Sequence, residues 1–163
     1  MENKLNWKKD WFSDEYSVFS GEKQVGSLKD KFFSQTSNAN MNGREYIFRT
    51  KGLIDQHTEI IDAAKDKAIG EISYNSWMTK ATISLPDKTI LWEYDNLWNT
   101  KWSLSGTDGI KIRYSGSSTN GDIDSNTEDE LIILSGLFVT NYYWQMTIAI
   151  LIIVFIPKFS IQY

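Results

Sequence analysis

His57 is the one histidine in 163 residues, and there is no cysteine. A serine nucleophile needs a base beside it, so a Ser–His–acid site in this chain would have to use His57. Its context, Asp55-Gln56-His57-Thr58-Glu59, reads as a polar turn. Without thiols there is no thiol catalysis, disulfide or thiolate metal site, and a metal would depend on carboxylates. The densest acidic run is Asp122, Asp124, Asn126, Glu128 and Glu130. A calcium loop of the EF-hand type needs glycine at its sixth position and glutamate at its twelfth. Counted from Asp122, those positions hold Thr127 and Ile133, and the motif fails. Glu71 and Glu93 alternate with apolar neighbours and read as outward strand positions rather than an acid/base pair. Gly106-Thr107-Asp108-Gly109 lacks the lysine and hydroxyl of a phosphate loop. Trp92, Trp98 and Trp102 would suit a stacking platform, but large rings in a β-rich chain more often fill a core. The expectation is therefore a non-enzyme with no catalytic residue, no metal and no cofactor, and no ligand site is singled out.

Composition narrows the partners. The net charge is −4, and no Lys/Arg run exceeds the pair Lys8-Lys9. Nucleic acid is not an expected partner, because phosphate binding needs clustered cations to displace counterions. Aromatic residues form 14% of the chain, with seven tryptophans, which argues for a folded core over disorder. The length suits one domain. The opening Met-Glu-Asn-Lys-Leu-Asn-Trp has no apolar run of the secretory kind. The protein is expected on the cytoplasmic side and not secreted, with membrane-associated and soluble states both open.

The elements that would position such residues are short strands. Ala81, Ile83 and Leu85 alternate with Thr82 and Ser84; Ile90, Trp92 and Tyr94 share a face; Trp102 pairs with Leu104, and Ile110 with Ile112 and Tyr114. Period-two patterning over short runs marks half-buried strands. Asn42-Gly43, Asp108-Gly109 and Asn120-Gly121 are turn dipeptides that tolerate positive φ, and Pro86-Asp87 separates two runs. Tyr16–Ser115 is predicted to be an antiparallel meander of at least eight strands. Ser34–Asn42 and Ser115–Asn126 read as loops. Gly21-Glu22-Lys23-Gln24-Val25-Gly26-Ser27-Leu28 echoes Lys65-Asp66-Lys67-Ala68-Ile69-Gly70-Glu71-Ile72 as ordinary hairpin grammar or a repeated unit.

The C-terminal region changes character. Thr127-Glu128-Asp129-Glu130 reads as a capping box, with Thr127 and Glu130 exchanging backbone bonds at a helix start. From Leu131 to Ile156 no residue is charged. That stretch would run about 39 Å as a helix, longer than the roughly 30 Å hydrocarbon core and longer than the ~17–20 Å of a typical strand. A helix apolar all round must be covered by protein or lipid. In one reading it is the buried axle of a barrel; in the other, part of it is a tail anchor with an aromatic belt. A composite fits the length. Leu131, Leu134, Leu137 and Phe138 are expected inside protein. The barrel interior should be used up near Asn141, with Tyr142–Gln145 at the mouth and Met146–Ile156 least covered. Residues for membrane contact are Tyr142, Tyr143, Trp144, Ile150, Ile153 and Phe155, and the expected partner there is membrane lipid.

Tyr16-Ser17-Val18-Phe19, the turn-strand Asp66-Lys67-Ala68-Ile69-Gly70-Glu71-Ile72, and Glu128-Asp129-Glu130-Leu131-Ile132-Ile133-Leu134-Ser135-Gly136-Leu137 carry a family likeness. In layout the chain resembles the tubby C-terminal-like superfamily, which includes tubby proteins, LURP-one-related proteins and phospholipid scramblases. The resemblance implies a closed antiparallel barrel of about twelve strands around one hydrophobic C-terminal helix, and a binding or scaffold role near membranes or lipid. No basic headgroup cluster of the tubby type aligns here. The expected division is 1–126 as barrel and 127–156 as helix within the same domain, with 145–156 the segment open to membrane insertion. The alternative function is a small tail-anchored membrane protein with a β head.

Overall fold

A computed structural model describes residues 2–159, with side chains through Phe155. Twelve strands form one closed antiparallel barrel, each paired with its neighbours in sequence and the last with the first. They are β1 Asn3–Lys9, β2 Glu15–Ser20, β3 Lys23–Lys29, β4 Thr36–Met41, β5 Arg44–Lys51 and β6 His57–Asp62. There follow β7 Lys67–Tyr74, β8 Lys80–Ser84, β9 Thr89–Tyr94, β10 Lys101–Gly106, β11 Lys111–Gly116 and β12 Asn120–Ser125. A single helix, α1, spans Glu130–Phe159. Closure rests on Leu5 opposite Ile123 and Trp7 opposite Gly121, and it leaves no sheet edge open.

The barrel needs the helix. Eight strands enclose a lumen that side chains alone can fill, and twelve enclose a wider one. A helix about 10 Å across fills the difference. Inward positions follow the strand alternation: Val18, Leu28, Phe48, Ile60, Ile72, Ile83, Ile90, Leu104, Ile112 and Ile123 are all fully buried. Leu131–Val139 is buried on every side of α1, so its uniform apolarity has a covering.

Contact is closest at Gly136. A Cβ there would meet Tyr114 Cζ at 2.5 Å and Leu104 Cδ1 at 2.7 Å. The missing side chain leaves room for the Tyr114 ring, whose hydroxyl donates to Ile133 O at 2.9 Å, and Trp92 Nε1 donates to Gly136 O at 3.2 Å nearby. Two rings from β9 and β11 thus fix the height of α1. Phe48 stacks on Phe138 at 4.4 Å and 8° on another side.

Three strands lie outside the predicted set, and two of them correct loop assignments. In β4, Ser37, Ala39 and Met41 point inward while Thr36, Asn38 and Asn40 point out. The alternation exists, but small and polar inward residues conceal it. β12 is similar: Ile123 and Ser125 are buried, and Asn120-Gly121 opens the strand instead of making a turn. Gly121 is required by Trp7, whose Nε1 would lie 2.6 Å from a Cβ there. β1 precedes the predicted meander, though it falls within the expected 1–126 barrel; Leu5 and Trp7 are its only buried side chains.

The echo between residues 21–28 and 65–72 is a repeated backbone irregularity. Val18 and Phe19 face Gly26 and Gln24, which leaves Val25 extra. Ile60 and Ile61 face Gly70 and Ala68, which leaves Ile69 extra. Both are β-bulges, each followed by glycine, and each turns an apolar side chain toward the core.

Candidate functional site at the mouth of the barrel

The two ends of the barrel differ. At the end where α1 enters, the turns carry Glu22, Asp66, Asp87 and Asp108. Lys88 Nζ sits 3.6 Å from both Asp87 and Asp129 and 4.0 Å from Asp108. Arg44 lies 3.6 Å from Glu130. The helix cap is displaced from the expected pair. Thr127 Oγ1 accepts from Asp129 N at 3.2 Å, and Asp129 Oδ1 accepts from Ile132 N at 3.3 Å. Asp129 is therefore the N-cap, and Glu130 turns sideways to Asn42 and Arg44. A Ser125 turn, in which Thr127 N bonds Ser125 Oγ at 3.1 Å, delays the helix start to Glu130.

At the opposite end, Asn141, Tyr142, Tyr143 and Gln145 of α1 make a polar collar. Asn141 Nδ2 donates to Asp30 Oδ2 at 2.5 Å, while its Oδ1 accepts from Lys9 Nζ and the Tyr16 hydroxyl, each at 3.2 Å. Ser37 Oγ donates to the other Asp30 oxygen, and Gln145 Nε2 donates to Oδ2 at 3.3 Å. Burial pushes the Asp30 carboxyl above its ordinary value, opposed by the Ser37 and Asn141 bonds and by Lys9. Burial lowers Lys9 in turn, against the pull of Asp30. Tyr142 donates to Gln56 Oε1 at 2.6 Å, and the Tyr143 hydroxyl reaches Lys80 O and Asn75 Oδ1, the latter at 3.4 Å. The collar thus bonds α1 to β1, β2 and the next three exit-side hairpins.

Of the residues expected in lipid, Tyr142 and Tyr143 instead belong to this collar. Tyr143 is 2% exposed and Tyr142 stacks on Tyr74 at 3.9 Å. Their hydroxyls have fixed protein partners, which an interfacial belt would leave to water and headgroups. Trp144 stands at the boundary, 48% exposed, with Lys9 Nζ 4.9 Å above its ring. Beyond it, Ile150–Phe155 lie outside the barrel, Ile150, Ile153 and Phe155 among them, and all six are exposed. The side chain of Ile156 lies outside the described residues. The backbone stays helical through Pro157 to Phe159.

Around the emerging helix stand the exit-side hairpin loops, and here the sequence reading missed a feature. Trp11 and Phe12 lie between β1 and β2; Phe32 and Phe33 lie between β3 and β4. Leu53 and Ile54 follow β5, Trp77 follows β7, and Leu97 with Trp98 follows β9. Phe12, Leu53, Ile54 and Leu97 are 94% exposed or more. The loops are braced by their own polar residues, so the rings are turned outward on ordered backbone. Asn75 Oδ1 accepts from Thr79 N and Lys80 N, both at 2.9 Å, and Asn96 Oδ1 accepts from Thr100 N and Lys101 N at 3.0 and 3.1 Å. Ser13 and Ser34 each accept from the N–H two residues on, at 3.0 and 3.2 Å. Phe33 is held at φ 62, a conformation uncommon for a bulky side chain. The readable signal was an apolar pair recurring at 11, 32, 53, 77 and 97 within polar turns.

The residues weighed for chemistry are not brought together. His57 opens β6 opposite Lys51, as a strand residue rather than a turn. Asp124 sits on β12 between Lys4 and Arg113. Glu93 pairs with Lys80 at 3.3 Å. Trp92 and Trp102 are barrel interior and Trp98 is a loop tip, so the three form no platform. Among the described residues no group of histidine, cysteine and carboxylate side chains is placed to hold a metal. The chain matches no protein-family model, no curated protein and no solved structure.

Proposed function

We propose that this protein is a non-catalytic membrane-anchored barrel, a binding or scaffold module of tubby-like layout whose own helix holds it at a lipid surface. The observation that carries the reading is the divided burial of α1. It is sheathed from Leu131 to Tyr143 and exposed and apolar from Ile150 to Phe155. The helix is long and apolar enough to cross a membrane, yet only 28% of its most apolar window is buried by the barrel. A core helix of a water-soluble domain would be mostly covered. Exposed to water, the outer half would drive aggregation; in lipid its backbone is already satisfied and its side chains match the solvent. From Gln145 to Phe159 the helix runs about 22 Å, enough to pass through one leaflet of a core roughly 30 Å thick.

The tubby-like assignment is supported by the twelve-strand meander and by a C-terminal helix threaded through it. Flotation tests the membrane reading. The full chain, expressed without detergent, should rise with phosphatidylcholine vesicles in a density gradient and stay with them after carbonate washing. A monodisperse chain left at the bottom of the gradient would overturn it.

A further inference from the structure

We infer that the exit-side hairpin loops form an apolar crown that seats the barrel rim on the bilayer interface, in the same leaflet that α1 enters. This rests on the membrane reading above and extends it from an anchor to a defined docking surface.

The first argument is distribution. Exposed large apolar side chains scattered singly are ordinary, but clustered ones mark an interaction surface. Among the described residues, those outside α1 all lie on loops of one rim. Five of that rim's six loops carry them; the sixth, Ser117–Thr119, is polar. The other rim carries the acids around Lys88 and Glu130. Both rims carry carboxylates, Asp10, Asp14, Asp30, Asp55 and Asp95 on this one, so it is the exposed apolar side chains that set the ends apart, and the helix leaves through the end that has them.

The second argument is the chemistry of the tips. Tryptophan, phenylalanine and leucine are the side chains that favour the headgroup–acyl boundary. Ordered loops hold them outward, as the Asn75 and Asn96 bonds to the following backbone show. The crown also leans on the emerging helix. Phe32 meets Trp144 edge-on at 6.4 Å, and Leu53, Ile54 and Met78 share a groove with Met146 and Ile150.

The third argument selects the occupant. Whatever covers the crown must also accept, through its centre, an apolar helix about 22 Å long. A flat protein face cannot do this, and a second copy placed rim to rim would bring two protruding helices into collision. A bilayer covers the crown and receives the helix without rearrangement.

The chain has no cysteine, so single introduced thiols report cleanly. Full-length Trp11→Cys, Leu53→Cys and Trp98→Cys, with Glu22→Cys and Asp108→Cys as opposite-rim controls, are labelled with a nitroxide and reconstituted in phosphatidylcholine vesicles. Power saturation then compares collisions with oxygen, which concentrates in lipid, against collisions with a water-soluble nickel chelate. The crown labels should show a severalfold higher oxygen-to-nickel ratio than the controls. All five sites are exposed, and near-ultraviolet circular dichroism verifies that each variant keeps the barrel. If the chain floats but crown labels are as nickel-accessible as the controls, the helix tethers the barrel above the surface and the crown inference fails alone. Dipolar broadening between identical crown labels, without oxygen gain, would assign the crown to a second copy and also overturn it. A chain that does not float removes the membrane reading itself.

Discussion

Asn141 Nδ2 donates to the Asp30 carboxylate at 2.5 Å, joining the last sheathed turn of α1 to the hairpin between β3 and β4. Both side chains are buried, Asn141 completely. The same asparagine accepts from Lys9 and Tyr16, so one amide closes a network that spans three strands and the helix. The helix cannot slide or rotate at the mouth without breaking it.

Asn141→Ala should therefore destabilise the barrel by about 2–3 kcal/mol. Hydrogen bonds to charged groups contribute about 1.5–3 kcal/mol each, and Asp30 retains Ser37 and Gln145 as partial compensation. Urea denaturation followed by far-ultraviolet circular dichroism measures it. A loss below about 0.5 kcal/mol, the range of an ordinary surface substitution, would mean the clamp is idle.

The Asp30 carboxyl also predicts a pH dependence. Burial raises its pKa above the ordinary 3.8, with Asp14 adding to the rise and Ser37, Asn141 and Lys9 opposing it. A raised carboxylate pKa means the native state holds the proton more tightly than the unfolded chain. The associated stability is complete below the unfolded value and is lost as pH climbs through the folded one. Asp30→Asn does not titrate. The stability of the parent minus that of the variant should accordingly be larger at about pH 4 than at about pH 7. Paired urea titrations read the difference, and a gap that widens with pH would contradict the burial of Asp30.

Gly136→Ala pits propensity against packing. Alanine favours a helix over glycine by about 1 kcal/mol. Its methyl would press on the Tyr114 ring and on Leu104. Overpacking of a tight core costs about 1–3 kcal/mol, and a displaced Tyr114 hydroxyl forfeits its bond to Ile133 O, worth about 1 kcal/mol. The expected net effect is a loss of about 1–3 kcal/mol. A raised melting temperature would show that the barrel relaxes around Gly136.

Deletion of every residue after Gln145 should leave the barrel folded. Leu131–Val139, Asn141 and Tyr143 supply the buried face of α1, and the collar bonds all lie at or before Gln145. The shortened chain should lose vesicle flotation and gain solubility, with a melting temperature within a few degrees of the parent, a shift of roughly 1 kcal/mol or less. Unfolding on deletion would make the outer half of α1 part of the core.

What the sequence determined by itself was the class of fold and the division of α1. Alternating runs such as Ala81–Ile83 and Ile90–Trp92–Tyr94 are local, and backbone geometry converts them to half-buried strands wherever they sit. The uncharged stretch after Glu130 likewise demanded a covering, and the rise of an α-helix set against strand length put the mouth near Asn141, two residues before the last fully buried position. The tertiary structure decided what depends on distant partners. β4 and β12 are strands because closure pairs them, with Ser37 bound to Asp30 and Gly121 giving way to Trp7. The cap moved to Asp129 because Ser125 and the Arg44–Glu130 pair compete for the helix start. Tyr142 and Tyr143 left the expected membrane belt because loop groups at Gln56, Asn75 and Lys80 reach their hydroxyls. The crown was likewise invisible as a surface: its pairs lie some twenty residues apart, and only barrel closure gathers alternate loops onto one rim, because each antiparallel strand returns the chain to the opposite end.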